Sequence, residues 1–288
     1  MRKPKLRWRI VTWILLLAIT GYMLHRFEHN QVYHPLRRLD AAATDLGRPV
    51  EELFLTARDG VKLHAWFFPS APDSPRSSIA MLICHGNGGN ISHRLVLYET
   101  LLARGVNVFA FDYRGYGLSE GKPGEEGTYL DAQAAHSWLR EKGFNGANII
   151  AYGESLGGAV AAELCLRESC GGLVLQSTFT SIPDVGAEFY PWLPVRWLSR
   201  IRYDTRSKLS RITVPVLVMH SRTDGLIKYA HGEANFAAVG GPKLFSELQG
   251  GHNDYLDDTR EFSAGIERFL DLVASSNVPA PGQDAKPE

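Results

Sequence analysis

At 288 residues the chain has room for one α/β domain with some accessory sequence, and length alone does not demand two domains. Its 31 Lys and Arg balance 31 Asp and Glu, so no global field favours nucleic acid or an anionic substrate, and no basic binding stripe is present. Cys84, Cys165 and Cys170 are odd in number and lack metal-like spacing with histidine, so they read as isolated thiols packed as small hydrophobes rather than as a Cys165–Cys170 pair.

The N-terminus departs from that charge balance. Arg2, Lys3, Lys5, Arg7 and Arg9 precede an uncharged apolar run over 10–24, shorter than the roughly 20 residues of a full span but extended through the interface by Trp8 and His25. No Ala-x-Ala site and no lipobox cysteine follow, which favours an uncleaved signal anchor over 1–27 against a cleaved signal peptide or a buried helix of a soluble protein. The cationic flank stays cytoplasmic by the positive-inside rule, so in a bacterium the chain is expected to be single-pass in the inner membrane, with its domain facing the periplasm. Residues 28–50 are polar and mixed, and read as a juxtamembrane linker. A globular domain is expected over 51–273 and a disordered tail over 274–288.

Within the domain, 53–57 and 61–68 flank the turn Arg58-Asp59-Gly60 and predict an antiparallel hairpin. Apolar runs at 79–84, 106–111, 148–152, 173–176, 214–219 and 243–248 then alternate with helical stretches near 93–103, 128–141, 156–167, 230–238 and 259–272. Runs apolar throughout suit parallel strands covered by helices on both faces. The fold class is therefore α/β: an eight-stranded, mostly parallel sheet flanked by helices, with functional residues at strand C-terminal ends. Residues 177–212, rich in proline and aromatics, interrupt the alternation after the sixth strand and predict a small insertion or lid.

Gly153-Glu154-Ser155-Leu156-Gly157 follows an apolar strand and opens a small-residue helix, the setting that a G-x-S-x-G nucleophile elbow requires. A serine hydroxyl is a weak nucleophile, so Ser155 needs a base, and this order of elements calls for an acid and then a histidine downstream. His252 lies in the glycine-rich loop after the last strand. Asp224 lies just beyond the seventh strand, and chain order prefers it to Asp204, Asp254 and Asp257. One oxyanion donor is expected from the main-chain amide of Leu156, the other from that of Asn87 in His85-Gly86-Asn87-Gly88-Gly89-Asn90. That loop lacks the Lys-Ser/Thr and the glycine spacing of a phosphate cradle. The string Asp112-Tyr113-Arg114-Gly115-Tyr116-Gly117 reads as support for the site, with Asp112 and Arg114 as a bracing pair. The chemistry needs no metal and no organic cofactor, and none is expected.

These motifs resemble the α/β-hydrolase superfamily, and within it the branch of abhydrolase-domain-containing proteins thirteen and seventeen and their bacterial relatives. The likeness runs over about 50–272 and rests on His-Gly-Asn-Gly-Gly-Asn at 85–90, Phe-Asp-Tyr-Arg-Gly-Tyr-Gly at 111–117, Gly-Glu-Ser-Leu-Gly-Gly at 153–158, Tyr-Pro-Trp-Leu-Pro-Val at 190–195 and Gly-Gly-His-Asn-Asp at 250–254. The resemblance implies the same roles for Ser155, Asp224, His252, Asn87 and Leu156, and esterase or protein depalmitoylase chemistry. This chain has an apolar anchor where the depalmitoylating members carry an N-terminal cysteine cluster, which weakens that substrate assignment. Some bacterial relatives carry a serine aminopeptidase label, for which the residues give no independent support.

The leading expectation is hydrolysis of an ester or thioester of a small-molecule or acyl-chain substrate. Amide hydrolysis by the same residues and a non-catalytic, membrane-tethered binding module are the alternatives. Oligomeric state is left open.

Overall fold

The structure, a computed structural model, describes residues 4–254, 256 and 259–276. Eight strands form one sheet: β1 (Glu51–Thr56), β2 (Lys62–Phe68), β3 (Ala80–Cys84), β4 (Asn107–Phe111), β5 (Ile149–Glu154), β6 (Gly172–Gln176), β7 (Val216–Ser221) and β8 (Lys243–Leu248). Their spatial order is β8-β7-β6-β5-β3-β4-β2-β1, and β2 alone runs opposite to the other strands. This is the eight-stranded, mostly parallel sheet the apolar runs predict.

Helices cover both faces, and the side-chain alternation of each strand feeds both layers. Ala80, Leu82 and Cys84 of β3 join one cluster with α3 (Glu125–Glu141) and α4 (Leu156–Arg167). Met81 and Ile83 join the other, with α2 (Leu95–Leu102) and α9 (Thr259–Ser276). Phe262, Ile266, Phe269, Leu270 and Val273 recur at helical spacing on α9, so one stripe of it is buried against the sheet. α8 (Tyr229–Ala238) packs on β7. The insertion after β6 folds into three short helices, α5 (Ile182–Phe189), α6 (Val195–Leu198) and α7 (Thr205–Leu209).

The first helix, α1 (Pro4–Val32), is longer than the apolar run over 10–24 that it contains. Its stretch Trp8–Val32 is long and apolar enough to cross a membrane by length and composition, about 37 Å at 1.5 Å per residue. Trp13 and Leu17 are 64% and 70% exposed, whereas Val32 and the following Tyr33 are buried against the domain.

The stretch expected as a linker over 28–50 is structured instead. His34–Pro35 pairs in parallel with Gly88–Gly89, Gly117 N donates to Leu36 O at 2.9 Å, and Asn90 Nδ2 donates to Leu36 O and Arg38 O at 3.1 and 2.7 Å. Main-chain bonds of this kind satisfy groups that a free linker would leave to water. At the other end α9 continues to Ser276, so 274–276 are helical where the tail was expected to begin, and 277–288 lie outside the described residues. Cys84, Cys165 and Cys170 are free thiols.

Candidate active site

Ser155 sits between β5 and α4 with φ 52° and ψ −113°, a conformation an L-residue adopts only under constraint. Ser155 N donates to Gln176 O at 2.8 Å on the neighbouring strand. Glycine is required beside it by close approach: a Cβ on Gly157 would drive into the Cys84 carbonyl, and one on Gly153 into the backbone of Gly157 and Gly158. The end of β3 is thereby pressed against the first turn of α4.

Asp224 and His252 lie beyond β7 and β8. His252 Nδ1 is 2.7 Å from Asp224 Oδ2, and His252 Nε2 is 3.1 Å from Ser155 Oγ. Asp224 Oδ1 accepts the amides of Leu226 and Ile227 at 2.9 and 2.8 Å, which fixes the carboxylate in its loop. The hydroxyls of Ser221 and Thr223 both donate to Gly250 O, at 2.5 and 2.8 Å, and fasten the acid loop to the histidine loop. Burial pushes the Asp224 carboxyl up, but His220 and His252 outweigh it and hold the group well below the usual carboxylate range. Of the rival acids, Asp204 caps α7 through Ser207 N at 3.1 Å, Asp254 is exposed, and Asp257 lies outside the described residues.

The loop carrying Asn87 is gripped from several sides. Asn87 Nδ2 donates to Val32 O at 3.0 Å, while His34 N and Tyr116 Oη donate to Asn87 O at 3.1 and 2.8 Å. These bonds use its carboxamide and carbonyl and do not draw on its main-chain N–H. Leu156 opens α4, where the first-turn amides point out of the helix end. A cleft of about 450 Å³ brings Ser155, His252, Asn87, Glu154, Leu226 and Leu256 together.

Two arrangements carry no motif in the sequence. Arg94 Nε and Nη2 pair with the Glu154 carboxylate at 3.1 and 3.3 Å, while Nη1 and Nη2 donate to Asn90 O and Gly88 O at 3.0 and 3.1 Å. One guanidinium thus ties the Asn87 loop to the elbow. Behind that loop, buried Asp112 accepts Ile91 N at 2.9 Å and stands 3.6 and 3.5 Å from His64 Nδ1 and His85 Nε2. The expected Asp112–Arg114 brace is not formed. Arg114 instead makes a bidentate pair with Asp59 and binds Asp131 at 2.8 Å, because its side chain reaches the β1–β2 turn and α3 while Asp112 turns under the loop.

A family model described as serine aminopeptidase, S33 matches residues 75–206. The chain is 36% identical over 266 residues to an uncharacterized protein of Mycobacterium tuberculosis, covering 91% of this chain and 94% of that one. It is 31% identical over 255 residues to alpha/beta hydrolase domain-containing protein 17C of Mus musculus, covering 83% of this chain and 73% of the relative. Among solved structures, an esterase from Pyrococcus furiosus superposes with a TM-score of 0.69 at 21% identity, covering 83% of this chain and 97% of the esterase. The last likeness bears on fold; identities above 30% over most of the chain carry more, and by them this protein belongs to the α/β-hydrolase superfamily.

Proposed function

We propose that the protein is a membrane-anchored serine hydrolase that cleaves a carboxylic ester or thioester through an acyl-serine intermediate. The observation that carries this reading is the relay Ser155 Oγ–His252 Nε2–His252 Nδ1–Asp224 Oδ2, with separations of 3.1 and 2.7 Å at its two hydrogen bonds. Ser155 Oγ attacks the carbonyl carbon while His252 Nε2 takes its proton, and Asp224 holds the tautomer and stabilises the imidazolium. The amides of Leu156 and Asn87 receive the developing oxyanion. Collapse of the tetrahedral intermediate expels the alcohol or thiol, protonated by His252, and water repeats the sequence to free the acid. No step draws on a metal or organic cofactor.

Aminopeptidase action, named in the description of the matching family model, would need an anion for the free amino terminus. Glu154 is the carboxylate among the described residues lining the cleft, and it is already paired with Arg94. That favours acyl esters over aminoacyl amides. Ser155→Ala is expected to abolish turnover of short p-nitrophenyl esters and labelling by a fluorophosphonate probe; retained wild-type turnover sinks the mechanism. A clear preference for aminoacyl amides in parallel assays would reverse the substrate ranking.

We read α1 as a single-pass signal anchor that holds the domain on the periplasmic side. Protease added to spheroplasts is expected to degrade the domain, and full protection would overturn this topology.

A further inference from the structure

The insertion leaves large aromatics in water. Trp192 and Trp197 are 78% and 90% exposed, with Phe189 and Leu198 about half exposed beside them. Tryptophan left outside the core is enriched where an apolar body meets a wet edge, above all at the membrane interface. The stretch 189–202 also holds Arg196, Arg200 and Arg202, all exposed, and no acidic residue; Arg196 Nε is paired with Asp184 Oδ1 at 3.1 Å, so the charge this surface offers outward is that of Arg200 and Arg202.

This surface is fixed to α1. The Glu28 carboxylate accepts Ser199 Oγ, Arg200 N and Ile201 N at 2.5, 3.0 and 3.1 Å. Tyr190 Oη donates to Gln31 Oε1 at 3.3 Å, and its ring meets Phe27 edge-on at 5.8 Å. The attachment points, Phe27 to Gln31, stand about 5–10 Å along the helix past Leu24, where the apolar run ends. Each interfacial layer of a bilayer is roughly 5–8 Å deep, so the insertion is held at the headgroup level of a helix that spans. Between the two lies a groove of about 220 Å³ lined by Leu24, Phe27, Ile182, Leu193, Val195 and Leu198, which continues the apolar surface of α1 onto the insertion.

We propose that the insertion docks on the bilayer as a second membrane contact, with Trp192 and Trp197 among the headgroups and Arg200 and Arg202 against anionic lipid. The inference rests on the reading of α1 as an anchor. Two contacts restrain rotation about α1, which a single helix would leave free, and so fix the orientation of the Ser155 cleft above the lipid surface.

The full-length chain is reconstituted in phosphatidylcholine vesicles containing phosphatidylglycerol. Nitroxides are attached singly at Trp192→Cys, Trp197→Cys, Leu16→Cys and Glu141→Cys, and the unsubstituted chain supplies the labelling background of the native thiols. The readout is the ratio of collisions with oxygen to collisions with a water-soluble nickel chelate. Positions 192 and 197 are expected to lie several-fold above the aqueous reference at 141 and below position 16. If position 16 reads as hydrocarbon while 192 and 197 match 141, docking is overturned and the anchor stands. If position 16 also reads as aqueous, the anchor reading fails and takes this inference with it. Shielding of 192 and 197 from both reagents, with spin–spin broadening, would assign the surface to a second copy of the chain instead.

Discussion

Arg94 and Glu154 meet side by side at the edge of the cleft, both nearly buried, with Nε and Nη2 of one against the two carboxylate oxygens of the other. Glu154 immediately precedes Ser155, and the same guanidinium holds Gly88 O and Asn90 O, so the pair sets the spacing between the two proposed oxyanion donors. Arg94 is a positioning residue in this account.

Arg94→Ala should therefore lower kcat by about tenfold to a hundredfold with little change in KM, since small misplacements of a preorganised site cost that much in rate. Arg94→Lys keeps the charge but loses the forked geometry, and should recover only part of the rate. Steady-state kinetics on a soluble ester check this, and a change confined to KM would contradict it.

The buried Asp112 cluster makes a prediction about pH. Burial pushes the Asp112 carboxyl up, yet His64, His85 and Ile91 N outweigh it and hold it low. Burial pushes His64 down, yet Asp112 and Glu52 outweigh that and hold it high. The depressed carboxyl contributes stability that is present above its unfolded value of about 3.9 and is lost as pH falls through its folded value. The raised imidazole contributes stability that is present below its unfolded value of about 6.5 and is lost as pH rises through its folded value. The pair is fully effective from about pH 4 to 6.5. Asp112→Asn should destabilise by about 3–5 kcal/mol in that window, and the gap in Tm from wild type should narrow on either side. A gap of constant size from acid to alkaline pH would refute the coupling.

The stretch that joins α1 to the domain should matter for turnover. Val32 O, His34 N and Leu36 N all bond to the 87–89 loop. A chain beginning at Glu28 keeps these contacts and should hydrolyse a soluble ester at the full-length rate. One beginning at Asp40 loses them, and its kcat should fall by about tenfold or more. Equal rates for the two truncations would show that the loop stands without this brace.

Much of this molecule is legible in its sequence because the relevant signals are local. Strands covered on both faces read as unbroken apolar runs: β3 and β6 are buried along their whole length, and the runs at 79–84 and 173–176 match them to within one residue. Ser155, Asp224 and His252 each stand at a strand end inside a short recognisable string, so chain order and strand-end placement are enough to nominate them as candidates. Arg94 and Glu154 are 60 residues apart and share no periodicity, and their pairing follows from how two loops fold rather than from either string. The brace over 34–38 is harder still to read. It works largely through main-chain N–H and C=O groups, which every residue carries, and its polar side chains look like those of a linker.

The elbow offers the sharpest test of how tightly the proposed oxyanion site is built. Gly157 packs where a Cβ would enter the Cys84 and His85 carbonyls, which are backbone atoms at the end of the central strand β3 and cannot swing aside as a flexible side chain would. Gly157→Ala must move either that strand end or the first turn of α4, and the turn is the softer of the two because β3 is paired on both sides. Moving the turn carries Leu156 N away from the oxyanion while leaving Ser155, His252 and Asp224 chemically intact. Losing one such donor lowers kcat by about a hundredfold to a thousandfold. The expected variant is folded, binds substrate with nearly unchanged KM and turns over at about a hundredth of the wild-type rate or less. Wild-type kcat in a folded Gly157→Ala protein would mean that the Leu156 amide is not an oxyanion donor.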